Sequence, residues 1–388
     1  MKKTPHGRRL LAGIAASTLL FASQAFSQQV VKLGYTGPLS GGGALFGKNV
    51  LDGMRMAADE INAEGWQIGG KPSKLEIVSL DDKYNPAESA INAQRLVQAE
   101  KTPVILVGHS GGTFALQTAN EKQKYLLLSY SSVPQITANG NTLTWRIPPD
   151  FTTYIQPFTH YAMGKYGKKL GIAVGDHDYA KAWSAAFRPT WEAAGGTVVA
   201  DNPMSYNRAA DFYSGVSRVL AAKPDVLLVG GASEPTALVI KQARELGFKG
   251  GFVIIDQAKL DEIAKVTGGY GLLEGSIGLL PVVDDSSNAM KAFVERYRKL
   301  YPGRDPSSEV TLGYTGVRAT AEAMKAASRA TDVLAIRAQL NTAMKALSAA
   351  ANPHALSGVD VRGNSIGAVP VAVVEGGKVR EVKLMDLR

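Results

Sequence analysis

From residue 30 onward, short apolar runs alternate with longer stretches in which apolar residues recur three or four positions apart, a pattern that predicts strands and helices in turn. Val30 to Leu33 reads as a buried strand, and a glycine-rich loop follows from Gly34 to Gly43. Val50, Leu51, Met54, Ala58 and Ile61 then share one helical stripe that ends at Gly65. Lys74 to Leu80 is the next strand. Asn85-Pro86-Ala87-Glu88 opens a second helix, with Asn85 as cap, Pro86 at a preset φ and Glu88 reaching back. Pro103 introduces a strand from Val104 to Val107, a helix starts near Thr113, and Tyr125 to Ser129 is strand again.

The alternation restarts after Thr144 to Pro149. Strands are expected at Leu170 to Val174, Thr197 to Ala200, Val226 to Val229 and Phe252 to Ile255, with helices from about Ala180, at 209–221 and at 235–246. Alternation of this kind belongs to parallel sheets covered on both faces, so the fold class is α/β, with two doubly wound lobes in tandem. The tail differs. Leu272 to Leu279 reads as a crossing strand, three helices follow at about 288–301, 307–329 and 332–350, and Val359 to Leu384 is glycine-punctuated strand. A helical block this late implies that the chain returns to pack on the first lobe.

Composition narrows the class. The chain has 388 residues, enough for two lobes, and its 45% hydrophobic and 20% charged content argues against disorder and against a multi-span membrane protein. The net charge is +9, but Lys2, Lys3, Arg8 and Arg9 supply four of those charges. The other basic residues are interspersed with acids, so no nucleic-acid footprint is expected. The basic start, the apolar run from Leu10 to about Phe26 and the small residues Ala25 and Ser27 form a secretory leader, with cleavage expected before Gln28 or two residues earlier. The absence of cysteine excludes disulfides, thiol catalysis and an acylated N-terminal cysteine.

Candidate chemistry lies where strands end and helices begin, the edge at which open α/β sheets bind ligands. Gly37-Pro38-Leu39-Ser40-Gly41-Gly42-Gly43, ending near Phe46, is one such loop; Ser110-Gly111-Gly112-Thr113 is a second; Ser129-Tyr130-Ser131-Ser132 is a third. Free N–H groups at a helix start and nearby hydroxyls suit a carboxylate. Gly108-His109-Ser110-Gly111-Gly112 also fits the G-x-S-x-G elbow of serine hydrolases, with Ser110 as nucleophile and His160, His177 or His354 as downstream bases. No oxyanion loop precedes it, so the hydrolase stays the rival reading. Asp81-Asp82 and Asp284-Asp285 read as solvated loop acids rather than a metal site, and no dinucleotide or phosphate-loop fingerprint is present, so neither cofactor nor metal is expected.

In order and spacing, Val31-Lys32-Leu33-Gly34, Gly37-Pro38-Leu39-Ser40-Gly41, Phe46-Gly47, Gly53, Ala57-Ala58-Asp59-Glu60-Ile61-Asn62, Asp81-Asp82, Asn85-Pro86 and Leu96-Val97 form a specific signature. Asp178-Tyr179, Gln242-Ala243-Arg244-Glu245-Leu246-Gly247 and Glu274-Gly275 extend it along nearly the whole chain after residue 27. The sequence resembles the type I periplasmic binding proteins, in the Leu/Ile/Val-binding branch that serves ABC uptake transporters. The resemblance implies two lobes joined by a three-segment hinge that close over a small solute, a monomer in the periplasm, an ABC permease as partner and no enzymatic step. It divides the chain into a leader at 1–27, a first lobe at 28–146 and 278–355, and a second at 147–277 and 356–388.

Carried over residue by residue, the resemblance gives Ser110, Gly111, Gly112, Thr113, Tyr130, Ser131 and Ser132 the ligand carboxylate, with Ser132 standing where the family often has Thr. Phe46 and Tyr179 would be aromatic walls from the two lobes, Asp256 the partner of a ligand ammonium, and Ser233 a further contact from lobe two. Simpler roles are also open, with Asp256 capping a helix at Gln257 and Tyr179 at a surface helix start. The chain departs from the best-known members in lacking their lobe-one disulfide, in Gly111-Gly112, and in a Tyr130 region one residue shorter. These departures leave the solute's side chain and amine open among amino acids, aromatic acids and amides.

Overall fold

Val31, Leu33 and Tyr35 turn their side chains into the core along β1 (Gln29–Gly37), and that apolar run sets the centre of the first sheet. The computed structural model describes Met1 and residues 28–387, so the expected leader and its cleavage site lie outside the described residues. After β1 come α1 (Ala44–Ala63), β2 (Gln67–Ile68), β3 (Lys71–Asp81), α2 (Pro86–Gln98), β4 (Val104–Val107), α3 (Ser110–Gln117), the single turn α4 (Asn120–Gln123), β5 (Leu126–Ser129), α5 (Gln135–Ala138) and β6 (Thr144–Arg146). The strand order is β2-β3-β1-β4-β5-β6, parallel except for β2. Because β3 and β4 flank β1 on opposite sides, the chain reverses its winding there, and a crevice opens at the carboxyl ends of β1 and β4.

The second lobe repeats the scheme with α6 (Thr152–Tyr166), β7 (Lys169–Val174), α7 (Asp178–Ala193), β8 (Thr197–Asp201), α8 (Tyr213–Leu220), β9 (Val226–Gly230), α9 (Ser233–Glu245), β10 (Gly251–Ile254), α10 (Leu260–Thr267) and β11 (Ser276–Leu279). The chain then returns as α11 (Asn288–Leu300), α12 (Ser308–Ala327) and α13 (Val333–Ala346), followed by the hairpin β12 (Gly358–Val359) and β13 (Ser365–Ile366). Two last strands, β14 (Val371–Glu375) and β15 (Lys378–Val382), complete a second sheet of order β15-β14-β11-β10-β9-β7-β8. The polypeptide therefore crosses between the lobes near residues 147–151, 280–287 and 367–370.

Two expected boundaries move. β11 pairs in parallel with β10, which keeps residues up to Leu279 in the second lobe rather than ending it at 277. Leu356 and Val359 belong to the first lobe's core, and Trp145 Nε1 donates to Ser365 at 2.9 Å, so the last crossing comes about ten residues after 356. Helix starts also shift. The helix expected near Thr113 begins at Ser110, because His109 Nδ1 accepts the Gly112 N–H at 3.0 Å and caps it. Asn85 does cap α2, accepting from Ala87 N at 2.9 Å.

Packing ties the late helices to the first lobe. Val50, Leu51, Met54 and Ile61 of α1 share one core with Val310, Leu312, Tyr314 and Met324 of α12. The two helices touch so closely at Gly53 that a Cβ there would lie 2.1 Å from the Val310 carbonyl oxygen. Arg146 pins the crossings together: its guanidinium donates to the Ser132 carbonyl at 3.1 Å and to Asn364 at 2.7 Å, beside Asp150 at 3.4 Å.

Candidate functional site

The loops after β1, β4 and β5 meet those after β7 and β10 across the gap between the lobes. That gap encloses about 450 Å³ between atoms, of which about 30 Å³ admits the centre of a water molecule, so its walls are nearly in contact. Phe46, Ser110, Tyr130, Ser131, Ser132, Tyr179 and Asp256 all line it. The first and third crossings form part of the same wall through Pro148, Pro149 and Val369, and Leu279 joins it just before the second. Rotation of one lobe on the other therefore reshapes this cavity directly.

In the first lobe's wall, Ser110 Oγ and Ser131 Oγ lie 2.7 Å apart. Both hydroxyls can turn to donate to an incoming oxygen anion. Asp256 gathers donors of its own: Ser132 Oγ from the opposite lobe at 2.7 Å, Trp183 Nε1 at 2.9 Å, and the Tyr179 hydroxyl. Phe46 meets Tyr130 edge to face at 5.6 Å, while Phe151 stacks on Trp183 at 4.8 Å behind Tyr179. Burial pushes the Asp256 carboxyl up to about 6, against the opposing pull of the Ser132 hydrogen bond and the Lys259 charge. Since α10 begins at Leu260, the simpler role of Asp256 as a helix cap at Gln257 is removed.

Gly111, Gly112, Thr113 and Ser233 stand outside the cavity. Gly111 faces an outer chamber of about 1490 Å³ between the lobes, whose rim carries Lys83, Glu88, Asp176, Asp178 and Arg208. Gly112 is packed from behind, where a Cβ would meet Ser89 Oγ at 2.7 Å. The Thr113 hydroxyl is taken by the His109 carbonyl and by Ser129. Ser233 Oγ donates to Glu262 at 2.5 Å, away from the cavity. Glu88 makes no contact back to the Asn85 backbone and instead lines the outer chamber.

Sequence reasoning missed Tyr84, His109, Gln257 and Lys259, which also line the cavity. Asp82, expected as a solvated loop acid, is buried and accepts from Thr36, Ser89, the Tyr84 N–H and His109 Nε2. With Nδ1 accepting from Gly112, the network assigns the His109 proton to Nε2, where Asp82 holds it. Neither ring nitrogen is therefore free to take the proton of Ser110, whose partner is Ser131, and Ser110 lacks the positive φ of a strained elbow. Among the described residues no group of three His, Cys, Asp or Glu side chains is placed to hold a metal ion.

The sequence profile described as Periplasmic binding protein matches residues 30–378. The chain belongs to the periplasmic binding proteins. Its relatives include proteins named for binding branched-chain amino acids. It is 25% identical over 341 residues to the leucine-, isoleucine-, valine-, threonine- and alanine-binding protein of Pseudomonas aeruginosa, covering 85% of this chain and 87% of that one. An amino acid binding protein of the same organism is also 25% identical over 335 residues, covering 84% and 86%. Two solved structures show the same fold. The branched-chain amino acid transporter substrate-binding protein LivJ of Streptococcus pneumoniae, in complex with isoleucine, superposes with a TM-score of 0.76 at 24% identity, over 92% of this chain and 100% of that one. A solute-binding protein of an ABC transporter from R. palustris, in complex with benzoate, superposes with a TM-score of 0.75 at 20% identity, over 91% and 95%. This periplasmic binding protein is thus a binding protein, not an enzyme.

Proposed function

We propose that this periplasmic binding protein captures an amino acid with an apolar side chain and delivers it to an ABC permease. One observation carries the reading. Asp256 of the second lobe reaches Ser132 of the first across an aromatic-walled gap that the paired hydroxyls of Ser110 and Ser131 also line. The solute's carboxylate takes the Ser110 and Ser131 hydroxyls and its ammonium takes Asp256. Its side chain lies against Phe46, Tyr130 and Leu312. A charge pair sealed from water in this way favours the closed lobes only when both partners are present.

Thermal-shift and calorimetric titration of the mature chain with L-leucine, L-isoleucine, L-valine and benzoate tests this. An aliphatic amino acid at 100 times its Kd adds about 2.7 kcal/mol to stability. Response to benzoate alone would move the solute to the aromatic acids, a second reading favoured by the Phe46–Tyr130 pair and by Tyr154 and Tyr179 in the wall. Silence toward all four compounds overturns both.

Export follows from the same proposal. A leader cut before Gln28 leaves a free monomer in the periplasm, which mass spectrometry of the periplasmic chain's N-terminus and light scattering would check.

A further inference from the structure

Beside the ligand cavity a second, largely buried polar cluster joins the lobes. Lys259, just before α10, places its Nζ 2.6 Å from Glu309 Oε1 on α12 of the first lobe, with side chains only 5% and 1% exposed. The same ammonium donates to the carbonyls of Asp256 at 2.7 Å and Gln257 at 2.9 Å. Next to it, Glu262 of α10 accepts from Asn49 of α1 at 2.8 Å and from Ser233, whose Oγ also accepts the Lys259 N–H at 3.0 Å. Neither carboxylate oxygen of Glu309 has a hydrogen-bond partner, so Lys259 is its counter-charge among the described residues.

We infer that Lys259 is a positioning residue that couples closure of the lobes to the aim of Asp256. Two of its three N–H bonds fold residues 256–259 into a tight loop, and this loop turns the Asp256 side chain into the cavity. Its charge is paired across the lobes with Glu309, 2.6 Å away. In open lobes both charges return to water, so the intact pair adds little to closure; closing with one partner missing buries a bare charge, which is strongly unfavourable. The pair therefore selects the closing angle at which Nζ meets Glu309, the same angle that brings Ser132 to Asp256. This step rests on the ligand reading only through the role of Asp256.

The absence of cysteine allows clean spin labels at Ile91→Cys on α2 and Leu246→Cys at the end of α9, both exposed positions. Pulsed electron resonance on the mature chain without solute then reads the open and closed populations. Lys259→Met is expected to shift the ratio toward open by about a hundredfold or more. In Glu309→Gln, Lys259 keeps its two carbonyl partners, and the shift is about tenfold. The double variant returns to within about tenfold of the parent, because no charge is left bare. Hydrogen exchange across residues 254–262 should quicken in Lys259→Met and stay at the parent rate in Glu309→Gln, a split that general loss of structure does not produce.

Unchanged distances in both single variants, or a double variant as open as the summed singles, would overturn the coupling. If Lys259→Met does not fold, Glu309→Gln and Asn49→Ala carry the test, and both must open the lobes. L-Leucine titration of the parent is a separate arm. Failure to respond there removes the amino-acid reading, while the label distances still decide the role of Lys259.

Discussion

The hydroxyl of Tyr84 in the first lobe accepts a hydrogen bond from the Gln257 amide of the second at 2.9 Å. The Tyr84 ring lies between His109 at 4.6 Å and His177 at 5.1 Å. Tyr84 and His109 line both the inner cavity and the outer chamber, so this stack is the partition between them. Tyr84→Ala removes one hydrogen bond and one ring contact that exist only with the lobes together. Solute dissociation should quicken by roughly tenfold or more, with little change in association. Stopped-flow release that matches the parent would place the exit elsewhere.

Asp256→Ala leaves a ligand ammonium buried without its counter-charge, a loss of about 3–5 kcal/mol, or more than a hundredfold in Kd. Calorimetry with the aliphatic amino acid that binds the parent is the measurement. An affinity equal to the parent's would take Asp256 out of the site.

The same carboxyl gives a pH dependence. Its folded value, about 6, stands above the unfolded 3.8, so the folded chain carries the penalty of an ionised Asp256 above about pH 6 and sheds it as pH falls through that value. Facing it are Ser132, Tyr179, Trp183 and Lys259, with Glu309 beyond Lys259. A protonated Asp256 cannot pair with an ammonium, so affinity should drop about tenfold per pH unit below about 6. Melting temperature is the wrong readout. Burial pushes His177 down to about 3 and His354 down to about 4, and both therefore remove stability as pH falls below 6.5.

Gly53→Ala tests the seam between α1 and α12. A Cβ 2.1 Å from the Val310 carbonyl oxygen forces the helices apart and should lower stability by about 1–3 kcal/mol in urea unfolding. Because α12 also carries Glu309, the variant should bind its solute more weakly as well.

Ser110 offers a negative test. With its hydroxyl paired to Ser131 and His109 committed to Asp82, a fluorophosphonate probe should leave the chain unlabelled. Labelling that disappears in Ser110→Ala would restore the hydrolase reading.

The alternation of strands and helices was legible because the two periods differ and because buried parallel strands are apolar throughout, as at Val104 to Val107 and Val226 to Val229. Ser110, Ser131 and Ser132 were legible as strand-end residues, since the carboxyl edge of a parallel sheet faces the crevice, whereas Asp256 came from the family resemblance alone. Tyr84, Lys259 and Glu309 were not. Their meaning depends on how far one lobe turns upon the other, and no local period encodes that angle. Ser233 shares the strand-end signal of its neighbours, yet a carboxylate one helix away claims its hydroxyl. Asp82 looked solvated because a run of two acids before a turn is polar locally, whereas four donors from separate elements converge on it in the fold.

The union of α1 with α12 also has a temporal side. The first lobe's interior draws on residues 308–327 as much as on the opening strands, so a chain still being synthesised leaves α1 with a bare apolar flank. Until that late segment arrives, the early half has no finished core to collapse upon. A polypeptide delayed in this way stays slack until residues 308–327 have emerged, and only then does the first half close on itself.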